Sequence, residues 1–182
     1  MFLREALANP RSMGAVMPSS PALARGMAHR VDLAEDDGIV ELGAGTGVVT
    51  QALRRRIASP HQLVAIERSP VLADLLRSQF PDTKVICGDA AKLRHLIRRA
   101  LPNAQRLHVV SSLPLRSLPA DQVRLILREI AGVIQSGGSW IQYTYALADR
   151  RVPDGFVRVT SSFIWRNVPP ARIDVFKREP TS

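Results

Sequence analysis

The sequence predicts an α/β fold: a doubly wound, mainly parallel seven-stranded sheet, covered by helices on both faces, with an antiparallel last strand. Three observations carry this. Between Gly38 and Tyr145, five short apolar strand-like runs alternate with four helical patterns, the order that βα crossovers impose on a parallel sheet. The run Glu41-Leu42-Gly43-Ala44-Gly45-Thr46-Gly47 sits where the first strand turns into a helix. The chain then closes with two strand-like runs that have no helix between them, the signature of an antiparallel pair.

Each element has a local cause. Residues 1–8 place Phe2, Leu3, Ala6 and Leu7 on one side of a short helix. After a stretch punctuated by Pro10, Gly14 and Pro18, Ser20-Pro21 reads as the N-cap and first position of a helix to about Val31. Ile39–Leu42 is a strand and Val48–Ile57 a helix; Leu63–Glu67 is a strand. Ser69-Pro70 opens a helix to about Gln79, and Lys84–Cys87 is a strand, with Cys87 expected as a small buried hydrophobe. Ala90–Ala100 is helical, with Leu93, Leu96, Ile97 and Leu101 inward; Leu107–Ser111 is a strand. A long helix runs from Pro119 or Ala120 to Gln135 and stops at Gly137-Gly138. Ser139–Tyr145, Phe156–Trp165 and Arg172–Lys177 are the remaining strands.

Composition narrows the class. The 182 residues suit one domain, read as a compact unit over 38–182 preceded by a helical segment over 1–37. Apolar residues at 46% and charged residues at 23% exclude wholesale disorder. One cysteine excludes a disulfide scaffold and a multi-cysteine zinc site, and no metal is expected. No apolar run is long enough to span a bilayer, and no signal peptide is evident, so a cytoplasmic protein is expected. The net charge is +9, and Lys84, Lys92 and Lys177 are the only lysines. Such an excess suits an anionic partner, either nucleic acid or a membrane surface, or reflects base composition alone.

The chemistry lies at the strand ends. The glycine run differs from the dinucleotide fingerprint and lacks the Lys-Ser/Thr pair of a P-loop. Glu67 ends the second strand, 20 residues after Gly47, where a carboxylate can accept from both hydroxyls of a ribose. Gly88-Asp89-Ala90 follows the third strand, where an acid can meet an adenine amino group. Glycine loop and both acids occupy carboxyl ends of parallel strands, where such sheets bind ligands. Together they resemble the Rossmann-like class I S-adenosylmethionine (SAM)-dependent methyltransferases.

Val110-Ser111-Ser112-Leu113-Pro114 after the fourth strand faces the methyl group in that resemblance. A similar slot holds Asn-Leu-Pro-aromatic in rRNA adenine dimethyltransferases. Here Ser111 and Leu115 replace the groups that would hold and stack a base, so nucleic acid is not the expected partner. A longer resemblance uses Asn9-Pro10, Gly14–Ser20, Met27-Ala28, the glycine loop, Phe80-Pro81, Gly88-Asp89-Ala90, Val110–Pro114, Ile141–Tyr145 and Asn167–Ala171. It is to the bacterial phospholipid N-methyltransferases, which methylate phosphatidylethanolamine towards phosphatidylcholine; the alternatives are an rRNA adenine N-methyltransferase-like enzyme and a methyltransferase of another amino-lipid such as ornithine lipid.

That resemblance implies SAM as cofactor, S-adenosylhomocysteine as product, and a phospholipid at the inner face of an anionic membrane as partner, with no obligate protein partner. The cofactor contacts it implies are Ser19, Ser20, Glu41, Gly43, Ala44, Gly45, Thr46, Gly47, Glu67, Arg68, Gly88, Asp89, Ala90, Ser111 and Leu113. Segment 1–37 would cover the cofactor and meet the membrane. Candidates for orienting the amine are Tyr143, Tyr145 and Ser111. Arg150 and Arg151 are candidates for a lipid phosphate at the active-site rim. Trp165 is placed either over the methylated cation or in the core.

Overall fold

The computed structural model describes residues 19–134 and 137–180 of the chain; the helix expected over 1–8 lies outside them. Seven strands form one sheet: β1 (Gly38–Leu42), β2 (Leu63–Glu67), β3 (Lys84–Cys87), β4 (Leu107–Ser111), β5 (Trp140–Thr144), β6 (Phe156–Ile164) and β7 (Ala171–Arg178). Their order is β3-β2-β1-β4-β5-β7-β6, and β7 alone runs against the others. The chain leaves β1 towards β2 on one side and returns to β4 on the other. That reversal opens a crevice at the carboxyl ends of β1 and β4.

The helices are α1 (Pro21–Ala28), α2 (Val48–Arg54), α3 (Pro70–Gln79), α4 (Leu93–Ile97) and α5 (Ala120–Val133). Ser20 caps α1 by accepting from Leu23 N–H, and Ser69 caps α3 likewise, each followed by proline as the sequence predicts. The expected helix over Ala90–Ala100 is instead a 3₁₀ turn, Ala90–Lys92, and the short α4. Asp89 caps that turn tightly, its side chain accepting from Ala91 N–H, which starts the coil with i→i+3 spacing.

Side chains alternate across the sheet. Ile39, Leu63, Val110, Ile141, Ile173 and Val175 pack beneath α1 and α2. Val40, Leu42, Val64, Ile66, Val109, Trp140 and Phe176 pack against α4 and α5. Trp140, with its ring centroid 4.6 Å from Phe176 and 5.0 Å from Phe156, fills the second core where the sheet ends. Cys87 is exposed rather than buried. The reason is strand order: β3 is an edge strand, and no strand covers its outer side.

β6 carries a bulge between Arg158 and Thr160. Phe156 packs with Trp140, whereas Ile164, eight residues on, packs with α1 on the opposite face. The unpaired residue, Val159, reverses which face each later side chain takes.

The amino end of the sheet is closed by a buried polar cluster. Asp37, 3% exposed, accepts from Arg106 Nε at 3.0 Å and Nη2 at 2.7 Å, and from Ala34 N–H at 2.7 Å. Burial opposes its ionisation, but these bonds and one from His108 outweigh it and hold its pKa at about 2. His108 Nε2 lies 3.4 Å from Asp37 and Nδ1 2.8 Å from Ser139 Oγ. Burial lowers the pKa of His108, so the ring is neutral, donating to Asp37 and accepting from Ser139.

Both shifts have one sign for stability. Asp37 is depressed, so its contribution is complete above its unfolded pKa and lost as pH falls through about 2. His108 is depressed too, so acid protonates it first in the unfolded chain. Glu41, whose pKa is raised, acts with the opposite sign, so it is in the Glu41→Gln variant that urea midpoints are expected to fall steadily from pH 7 to pH 3. Arg106→Met strands the Asp37 charge and is expected to lower the urea midpoint at pH 7.

Candidate active site

The glycine loop shapes the crevice. Gly43, Gly45 and Gly47 take φ of 72°, 57° and 85°, which side chains rarely adopt. A Cβ at Gly47 would come 2.5 Å from Phe80 of the α3 cap, so α3 closes directly on the loop. A Cβ at Gly45 would meet only Gly43 O at 3.9 Å; it points into open space that a ligand can fill. Leu113, from the loop after β4, packs over Gly43, and Ala44 N–H donates to Ile66 O at 3.3 Å.

Glu67 joins three strand ends. Its Oε2 accepts from Gly45 N–H at 2.9 Å and its Oε1 from Ser69 N–H at 2.9 Å. Its carbonyl accepts from Gly88 N–H at 2.9 Å. The carboxylate is thereby fixed, and each oxygen keeps a second lone pair for a hydroxyl donor. Asp89 spends Oδ1 on Ala91 N–H at 2.9 Å. Thr46 and Ala90 continue the rim beside these groups, and Arg68 is exposed next to Glu67.

Glu41 is the unusual group. It is fully buried beneath α2, with Oε2 accepting from Thr50 Oγ1 at 2.7 Å and Oε1 without a partner. Burial foremost, opposed by the Thr50 bond and reinforced by Glu67, raises its pKa to about 7. A buried carboxylate with a free oxygen beside an open cradle fits a cation. Together with the Glu67 carboxylate, it fits a ligand carrying a ribose and a positively charged tail.

The structure regroups the predicted catalytic residues. Tyr143 faces α1, where its hydroxyl bonds to the side chains of Ser19 and Tyr145. Burial, then the neighbouring Tyr145, pushes its pKa up to about 12, so it stays protonated. The two rings meet edge to face, 5.5 Å apart. Ser20 is occupied as the α1 cap. Ser111 lies on the other face, fully buried, and accepts from Leu113 N–H at 3.3 Å.

The partner of Ser111 is Gln142, which the sequence reading missed. Strand register sets Leu42, Ser111, Gln142, Asp174 and Ser161 side by side across five strands. Gln142 Nε2 donates to Leu113 O at 3.1 Å and to Tyr143 O at 2.9 Å, while its Oε1 is buried without a partner. Ser112 Oγ, in the adjoining loop, is likewise buried and unpaired. Asp174 is fully engaged by Arg172, whose Nη2 lies 2.8 Å away, and by Ser161 at 2.5 Å. No local signal reveals this row, because lateral neighbours come from strands far apart in sequence.

The predicted lipid-contact residues Arg150 and Arg151 follow β5. Arg151 clasps Asp149, with Nη2 2.8 Å away, and Arg116 pairs with the same carboxylate. These bonds, that of Arg151 first, hold the Asp149 pKa well below the usual carboxylate range. The carbonyls of Arg150 and Arg151 accept from Arg158, which lies level with Phe176 and Trp140 towards the amino end of the sheet. Arg116 lies in the loop that follows the carboxyl end of β4, so its pairing with Asp149 ties Arg151 to that side of the sheet. Trp165 is 69% exposed, so the core placement fails; the bulge turns it outward, stacked on Phe163. Among the described residues no cluster of His, Cys, Asp and Glu could hold a metal ion. No described helix is long and apolar enough to cross a membrane.

Comparisons agree with this geometry. The profile of a family described as a methyltransferase domain matches residues 39–138. An ornithine lipid N-methyltransferase from Singulisphaera acidiphila is 32% identical over 180 residues, covering 94% of this chain and 91% of that protein. A ribosomal RNA small subunit methyltransferase A from Chlorobium chlorochromatii is 43% identical over 54 residues, only 30% of this chain and 19% of its own length. Among solved structures, a TehB-like SAM-dependent methyltransferase from Corynebacterium glutamicum superposes with a TM-score of 0.62 at 14% identity, over 98% of this chain and 97% of that one.

Glu41 has a testable cost. Its folded pKa is raised, so the stability linked to its proton is present below the unfolded value and lost as pH rises through about 7. Glu41→Gln removes that loss. Its thermal midpoint, measured without ligand, is expected to exceed that of the unsubstituted protein at pH 8 and to converge with it near pH 5.

Proposed function

This chain belongs to the methyltransferase-domain family and uses SAM, and from that premise we propose that it methylates the amine of a membrane-lipid headgroup. The carrying observation is the likeness to an ornithine lipid N-methyltransferase along 94% of the chain, against a short local likeness to an rRNA enzyme. Ornithine lipid is the first substrate to test. Phosphatidylethanolamine is the second, favoured by the motif resemblance to phospholipid N-methyltransferases. The reaction would take place at the inner face of the membrane.

The residues divide the work. Glu67 would take the ribose hydroxyls, Asp89 the adenine amino group, and Glu41 the cationic tail, a division supported by the lone pairs their present bonds leave free. When bound, SAM supplies an electrophilic methyl on a good leaving group, so the protein's task is alignment. The unpaired Gln142 Oε1 and Ser112 Oγ are acceptors beside the strand end that faces the methyl. They suit the N–H groups of an amine and hold its lone pair in line once a proton has passed to water. A headgroup amine has a pKa of about 10, like lysine. The positive charge of the cofactor lowers it towards neutrality. Each methyl added removes an N–H donor, so the fully methylated product loses its hold on these acceptors.

Incubating purified protein with SAM and each lipid in detergent micelles, then reading the lipids by mass spectrometry, tests the reading. Mono-, di- or trimethylated ornithine lipid or phosphatidylethanolamine is expected; SAM binding without any methylated lipid overturns it. Glu67→Ala is expected to weaken SAM binding in calorimetry by at least about tenfold, since it loses charge-assisted bonds. Gln142→Ala is expected to lower kcat with SAM affinity retained; unchanged kcat removes Gln142 from the site.

A further inference from the structure

The turn between β6 and β7, Trp165-Arg166-Asn167-Val168-Pro169-Pro170, holds the two most exposed large apolar side chains of the described chain. Val168 is 85% exposed and Trp165 69%. Phe163 stacks on Trp165, with centroids 5.5 Å apart and planes 18° apart, so the aromatic pair is set before anything binds. The tip is also held from within. Asn167, buried at 2%, donates from Nδ2 to Pro169 O at 2.6 Å, and its N–H bonds to Ile164 O.

Position and charge single out an occupant. β6 runs in the direction of β5, and Ile164 pairs with Ala171 beside the end of β5. The tip therefore projects from the carboxyl rim, the end that holds the glycine loop, Glu67 and Gln142. Arg166 is the one charged residue between Phe163 and Pro170, within a chain of net charge +9. Exposed Trp and Val beside an arginine match the interface of a lipid bilayer, where apolar side chains enter the acyl boundary and guanidinium meets phosphate.

We propose that this tip is a docking wedge for an anionic phospholipid bilayer: Phe163, Trp165 and Val168 enter the interface, and Arg166 meets the phosphates. The inference rests on the lipid-substrate reading for its occupant. It adds a second consequence: docking by the tip turns the carboxyl rim, and with it the site, towards the membrane. A headgroup amine then reaches Gln142 without the lipid leaving the bilayer.

The chain has two tryptophans, and Trp140 is 1% exposed, so a change in emission reports Trp165. The full chain is titrated with vesicles of phosphatidylglycerol mixed with phosphatidylcholine, and with vesicles of phosphatidylcholine alone. A blue shift that saturates with anionic vesicles, and weakens with added salt, is expected. Val168→Asp keeps the reporter and is expected to lower vesicle partitioning about tenfold. Trp165→Ala is expected to do the same in vesicle cosedimentation. Three results overturn the wedge: Trp165 emission unmoved at saturating anionic lipid, Val168→Asp partitioning like the unsubstituted protein, or a blue shift that depends on protein concentration without vesicles, which would place a second copy on the tip. The micelle assay separates the two claims. Methylated lipid with an unmoved Trp165 removes the wedge alone, and an inserted Trp165 without methylated lipid removes the substrate reading alone.

Discussion

The carboxylate of Glu67 is the constraint on which the site depends. Its two oxygens are taken by backbone N–H groups from the glycine loop and from the start of α3, and its carbonyl takes a third from the loop after β3. Three segments that the sheet merely brings near are thereby pinned to one residue. Charge-assisted bonds of this kind are stronger than neutral ones. The glycine loop then has no freedom to collapse into the crevice it borders. Gly47 extends the arrangement, since only a missing Cβ lets Phe80 pack against the loop.

Around that fixed point, the two ends of the sheet use charge in opposite ways. At the amino end the buried charge of Asp37 is matched by Arg106, Ala34 and His108. At the carboxyl end Glu41 is left half satisfied and raised in pKa, and Gln142 and Ser112 keep buried acceptors unpaired. Buried polar atoms without partners cost stability unless something fills them. Three such acceptors gather around the ends of β1, β4 and β5, the physical mark of a site that is completed by its ligands.

The cofactor half of this site was legible in sequence because backbone geometry writes itself locally. A turn that needs positive φ demands glycine, and an acid at a strand end must follow its strand. The Ser-Pro starts of α1 and α3 were legible for the same reason, since a cap and its helix are neighbours in the chain. The substrate half was not. Gln142 meets Ser111 only through lateral register, and Tyr143, adjacent to Gln142 in sequence, is sent to the opposite face by the pleat. Cys87 was misread because strand order, not strand pattern, decides which strand is an edge. The core placement of Trp165 fails because the residue inserted at Val159 changes the face that each later side chain of β6 takes.

That inserted residue acts as a phase shifter. From Phe156 to Arg158 the even-numbered side chains of β6 face α5; beyond Val159 they face α1. Remove one residue at Val159, and every later side chain exchanges inside for outside: Ile164 would leave the core beneath α1, and Phe163 and Trp165 would be driven towards it. The polarity of the whole β6–β7 tip is thus encoded six residues away, in the parity of a strand rather than in the tip itself. Lineages of such sheets can turn a wet hairpin into a greasy one, or back, by a single insertion or deletion, with no change in the residues that do the work.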